Sequence, residues 1–120
     1  MKNELQHYAE NYETELLAYE NLPRKEFIQQ HIDQNYSGWN EEEETLVGEY
    51  FDALEITRYE NSDYSYFEIC LGVGWPNIYL NINTRWESVE YIIGWGWETY
   101  RKNISHLYDT IVQIYNLDCY

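Results

Sequence analysis

The residues of this chain that could do chemistry are its carboxylates, and the densest set is the run Glu41-Glu42-Glu43-Glu44. Around it lie Glu10, Glu13, Glu15, Glu20, Asp33, Glu49, Asp52, Glu55, Glu60 and Asp63, all in the first half, where only Lys2, Arg24, Lys25 and Arg58 oppose them. Carboxylates support acid–base catalysis when two of them flank a pocket and one is perturbed. They bind metals when joined by histidine or cysteine at ligand spacing. Set along rigid helices, they take the positions that phosphates occupy in a basic groove and release the same counterions.

The first two chemistries find no support in the spacing. His7, His31 and His106 fall on three different segments, and none forms an H-E-x-x-H or H-x-E pair. Cys70 and Cys119 stand far apart, without a Cys-x-x-Cys partner, and read as reduced thiols of a cytosolic protein. Gly72-Val73-Gly74-Trp75-Pro76 lacks both the G-x-G-x-x-G pattern and the lysine of a phosphate-binding loop, so it reads as a strand turn. No catalytic residue, cofactor or metal is expected, and the chain reads as a non-enzyme.

The third chemistry agrees with the charge. Twenty-two acidic residues against seven basic ones give a formal net charge of -15. Such self-repulsion costs stability while keeping a protein soluble. It also repels nucleic acid and anionic membrane, which argues against direct binding to either. An aromatic share of 18%, with 14 tyrosines, argues against disorder. The expected partner is a protein with a basic surface.

The elements that must hold these residues follow from periodicity. Leu5, Tyr8, Ala9, Tyr12, Leu16 and Tyr19 form one face of a helix over residues 3–20, leaving the glutamates to water. Asn21-Leu22-Pro23 stops it and starts a second helix with Phe27, Ile28, His31 and Ile32 as its stripe. Asn40 and Glu43 have the spacing of a capping box, and Glu41 to Glu44 then sit where a helix dipole favours carboxylates. Leu46, Val47, Tyr50, Phe51 and Leu54 continue that third helix.

From Leu54 the period changes. Ile56–Tyr59, Tyr64–Leu71 and Ile78–Asn83 read as strands, and Val89, Tyr91, Ile93, Trp95 and Trp97 share a face of a last one, with Gly94 and Gly96 suggesting a bulge or bend. Outward Asn81 and Asn83 mark a sheet covered on one side. Ser105 is placed to cap a final helix with Leu107, Tyr108, Ile111, Val112 and Tyr115 buried. The expected fold is α+β: N-terminal helices, a three- to four-stranded antiparallel sheet, and a C-terminal helix packed on it. Residues 1–120 form one domain, divided into an acidic helical part (1–54), the sheet (55–100) and the closing helix (104–117).

The partner-binding residues expected on this reading are Glu13, Glu20, Glu41, Glu42, Glu43, Glu44, Glu49 and Asp52, with Tyr12, Tyr19 and Trp39 as aromatic anchors. Small size, extreme acidity, abundant tyrosine and no catalytic motif together resemble the anti-defence proteins of phages and other mobile elements, of anti-CRISPR and anti-restriction type. Gly74-Trp75-Pro76, Trp95-Gly96-Trp97 and Tyr100 before a terminal helix also look like small proteins of mobile elements. The resemblance implies stoichiometric binding to a bacterial defence nuclease or effector complex in the host cytoplasm, at the site where DNA is held. It assigns no role to an individual residue. The rival expectation is an immunity or antitoxin-like protein that neutralises a basic toxin, and the oligomeric state is left open, a homodimer included.

Overall fold

The computed structural model describes residues 2–38, 43–60, 65–74 and 76–119. Helix α1 (Lys2–Asn21) lies across the inner face of the sheet, packed on its last two strands and on the C-terminal helix. Leu5, Ala9, Tyr12, Leu16 and Tyr19 alternate at spacings of four and three, so one stripe faces inward, while Tyr8 falls on its flank and is 43% exposed. Pro23 precedes α2 (Arg24–His31), and its carbonyl accepts the first helical bond from Phe27 N at 3.0 Å. Phe27 and Ile28 are fully buried, each stabilising by about 2 kcal/mol through the area it removes from water. Helix α3 (Glu43–Tyr50) is shorter than its sequence pattern suggests: it stops at Tyr50, Phe51 turns into the core, and Leu54 is 62% exposed.

Aromatic rings join the three helices. Phe27 stacks on Phe51 with centroids 5.8 Å apart, and Tyr19 meets both edge-on at 5.6 and 5.9 Å. His31 stacks on Phe27 at 4.8 Å, so this histidine closes the cluster at its rim. Tyr36, buried in the following loop, donates its hydroxyl to Glu43 Oε2 at 2.9 Å, and its carbonyl accepts from Gln29.

The sheet has five strands, β1 (Glu55–Glu60), β2 (Ser65–Gly72), β3 (Asn77–Asn83), β4 (Ser88–Trp95) and β5 (Glu98–Asn103). They are all antiparallel and in sequential order, one strand more than the three to four expected. Phe67, Ile69, Leu80, Ile82, Val89, Tyr91 and Ile93 point inward beneath the helices. On the outer face Thr57, Glu68, Asn81, Glu90 and Asn103 form one continuous cross-strand row.

Two expectations at the sheet are corrected. Trp95-Gly96-Trp97 does not run on as a strand: Trp95 pairs with Glu98, and Gly96 and Trp97 are the two residues of a hairpin turn. Gly96 has φ 66 while Trp97 does not, the arrangement of a type II′ turn that suits the twist of a hairpin. The sheet's irregularity lies elsewhere, between Cys70 and Gly72 in β2, where the register shifts against β3.

After β5, Ser105–Leu107 forms a 3₁₀ turn leading into α4 (Tyr108–Ile114). Leu107, Ile111, Val112 and Tyr115 are buried as expected, and so is Thr110. Ser105 caps nothing: its hydroxyl accepts from Val89 N at 2.9 Å and fastens the turn to β4. Among the described residues, no helix is long and apolar enough to cross a membrane.

Candidate functional site

The carboxylates expected to form one acidic face divide by what they touch. Glu13, on the sheet side of α1, ion-pairs through Oε1 with Lys102 Nζ at 3.2 Å, and its Oε2 lies 2.9 Å from His106 Nε2. Its side chain is only 19% exposed, and a carboxylate so far from water requires such partners. Lys102 comes from β5, and the hydrogen bond to Glu13 raises its pKa. Glu20 Oε2 accepts from Thr110 Oγ1 at 2.6 Å and so joins α1 to α4. Glu43 is engaged by Tyr36. Each of these three carboxylates therefore carries a contact within the fold, and Glu20 is exposed at the same time.

Tyr12 and Tyr19, expected as aromatic anchors, turn their hydroxyls to partners within the fold. Tyr19 is 7% exposed, and its hydroxyl accepts from Arg24 at 2.7 Å, with the guanidinium also 4.4 Å above the ring. Burial raises its pKa against the opposing pull of Arg24. Tyr12 turns its hydroxyl to that of Tyr115, 2.9 Å away. Neither is a surface anchor.

Glu44, Glu49 and Asp52 are exposed. Glu44 pairs with Arg24 at 2.8 Å yet keeps 86% of its side chain in water. Glu4, Glu10, Glu26 and Asp33 are exposed as well, as is Lys25, whereas Arg24 is half-buried. Arg58 and Arg101 are paired to Glu60 and Glu90. Trp39, Glu41, Glu42, the cap residue Asn40 and the Trp75 turn residue lie outside the described residues.

The aromatic side chains most exposed among the described residues are two tryptophans. Trp97 is 97% exposed on the β4–β5 turn, and Val73 (66%) and Leu54 (62%) are exposed at the same end of the sheet. Trp86, at the opposite end, is 70% exposed with Arg85 5.2 Å from its ring centre. The glycine beside Trp97 was the signal available in the sequence, since a glycine between two tryptophans marks a turn as readily as a strand.

A second polar region lies between α1, the end of α3, α4 and the sheet. Tyr12, Glu15, Tyr50, Asp52, Tyr91 and Tyr115 converge there on a cavity of about 180 Å³. Burial, and after it the nearby Glu15 carboxylate, pushes the Tyr50 pKa up to about 12. Burial raises Tyr12, Tyr91 and Tyr115 further, so all four stay protonated at neutral pH. On the outer sheet face, Asn81 Oδ1 is buried without a hydrogen-bond partner among the described residues, directly between Glu68 and Glu90. Those two carboxylates, after burial, also raise the pKa of Tyr66.

Among the described residues, no three histidine, cysteine or carboxylate side chains gather as a metal site. His7 lines an open groove on α1 beside Asn3, Glu4, Tyr8 and Asn11. No family model, curated protein or solved structure matches the chain.

Proposed function

We propose that this protein is a stoichiometric inhibitor from a phage or mobile element that binds a basic nucleic-acid-handling protein, a bacterial defence nuclease or effector complex, by presenting carboxylates to its nucleic-acid groove. The observation that carries the reading is the imbalance of exposed charge on the helical half. Arg24 is drawn into an ion pair and a ring contact, while Glu4, Glu10, Glu26, Asp33, Glu44, Glu49 and Asp52 face water. Spaced carboxylates on rigid elements attract a basic groove over several ångströms and release its counterions on contact. Exposed tryptophan adds the apolar anchor that such interfaces concentrate, and Trp97 supplies it in place of the tyrosines.

The test is capture from a nuclease-treated bacterial lysate on tagged protein, with the double variant Glu44→Lys/Glu49→Lys in parallel. Both side chains are exposed, so the fold tolerates the change. A nucleic-acid enzyme retained by the native chain and lost from the variant supports the reading. Equal retention by both removes α3 from the interface, and a small basic toxin in the eluate replaces this reading with the immunity one.

A further inference from the structure

We infer that the cavity between α1, α3, α4 and the inner face of the sheet is a receptor for an organic cation, an alkylammonium or guanidinium group, held by the carboxylates of Glu15 and Asp52 and the tyrosines around them. No lysine or arginine lines it among the described residues. Its volume of about 180 Å³ is below the range of about 300–1,000 Å³ typical of drug-sized ligands, and suits a head group of a few heavy atoms.

The charges on its wall decide which sign of ligand it takes. The carboxylates of Glu15 and Asp52 can only accept, and where one of Tyr12 and Tyr115 gives its proton to the other, each phenol oxygen keeps a lone pair to offer. Tyr91 is 2% exposed, lines the cavity, and its hydroxyl has no hydrogen-bond partner among the described residues. The Tyr91 ring lies against that of Tyr12, with centroids 5.3 Å apart. Two carboxylates, phenol oxygens able to accept, and aromatic faces make a wall that suits a cation. An N–H-bearing cation meets it through charge-assisted hydrogen bonds and attraction to the ring faces. An anion meets two carboxylates and a net charge of -15.

One chemistry has two sources: a free small amine, or a lysine or arginine side chain inserted by a protein. The experiment separates them. The full-length protein is titrated at low ionic strength with methylguanidinium, methylammonium and acetyl-arginine-methylamide, following tyrosine ring signals by NMR. One saturable site is expected, with shifts at Tyr12, Tyr50, Tyr91 and Tyr115. Asp52→Asn and Glu15→Gln each weaken binding about tenfold, the cost of losing one charge-assisted contact. Asp52 is exposed, so its variant folds regardless of what Glu15→Gln does. Asp109→Asn, exposed and outside the cavity wall, leaves binding unchanged. Tighter binding of the arginine amide assigns the site to a protein side chain, and tighter binding of the small ions assigns it to a free amine. Absence of saturable binding by all three cations, or equal binding to native and Asp52→Asn protein, overturns the inference. No partner protein enters this titration, so its failure leaves the proposed inhibition standing and its success does not depend on it.

Discussion

Tyr12 on α1 and Tyr115 beyond α4 sit near opposite ends of the chain, and their hydroxyl oxygens meet at 2.9 Å. Beside them the carboxylates of Glu13 and Glu20 reach Lys102, His106 and Thr110. The first helix is therefore tied to the last third of the chain by polar contacts laid over an apolar stripe. This seam explains why part of the acidity of α1 is structural.

Removing one partner of the phenol pair leaves the other buried with an unfilled bond. Tyr12→Phe and Tyr115→Phe are each expected to cost about 1–2 kcal/mol in chemical denaturation. The double variant is expected to cost less than the sum, because the second change removes the orphaned group. Strict additivity would mean that the two hydroxyls do not interact.

Glu13→Gln keeps the shape and removes the charge facing Lys102 and His106. The expected loss is about 1–3 kcal/mol, between the worth of an exposed pair and that of a fully buried one. The raised pKa of Lys102 adds a pH dependence: its contribution is complete below the ordinary lysine value and is lost as pH rises through the folded-state value. Stability in the native chain is thus expected to fall in the alkaline range, and less so in Glu13→Gln. A parallel fall in both proteins would break this link.

Tyrosine ionisation gives a separate alkaline signature. Burial raises the pKa of Tyr12, Tyr91 and Tyr115 and takes Tyr50 to about 12, while unfolded phenols titrate at about 10. Their stabilising contribution is complete below the unfolded value and is lost as pH rises toward the folded values. In a phenolate absorbance titration, exposed tyrosines ionise first and these four only with unfolding. A single smooth titration of all tyrosines in a folded chain would contradict the buried cluster.

Asn81 offers a test in the opposite direction. Its buried Oδ1 lacks a partner among the described residues on a central strand, so Asn81→Val is expected to stabilise the protein by about 1 kcal/mol. Thermal denaturation reads the sign directly, and a loss of stability would show that the amide is satisfied in solution.

The parts of the fold written in period were legible. The stripe of α1 and the alternation through Phe67, Ile69, Leu80 and Ile82 led directly to a helix on a sheet. Strand β5 was not, because Glu98-Thr99-Tyr100-Arg101-Lys102-Asn103 has little apolar alternation: it is an edge strand, and Tyr100 is its one large apolar side chain against the core. Trp97 shared parity with Ile93 in the sequence, yet the positive φ of Gly96 turns the chain before it. The division of the carboxylates was hidden for another reason. Whether Glu13 is a surface charge or a tether depends on Lys102, whose position is set by the successive strand pairings of the sheet. The tyrosine cavity likewise takes its wall from α1, the end of α3, β4 and the C-terminal segment, and no local pattern joins them.

The most direct test of the proposed inhibition is competition for a captured partner. Tagged protein is loaded from nuclease-treated bacterial lysate, and the retained protein is eluted with duplex DNA at constant ionic strength. Release of a nucleic-acid enzyme by DNA, at concentrations where a neutral polymer releases nothing, is the expected result. Retention of that enzyme through saturating DNA would contradict it, because the carboxylates would then lie outside the nucleic-acid groove.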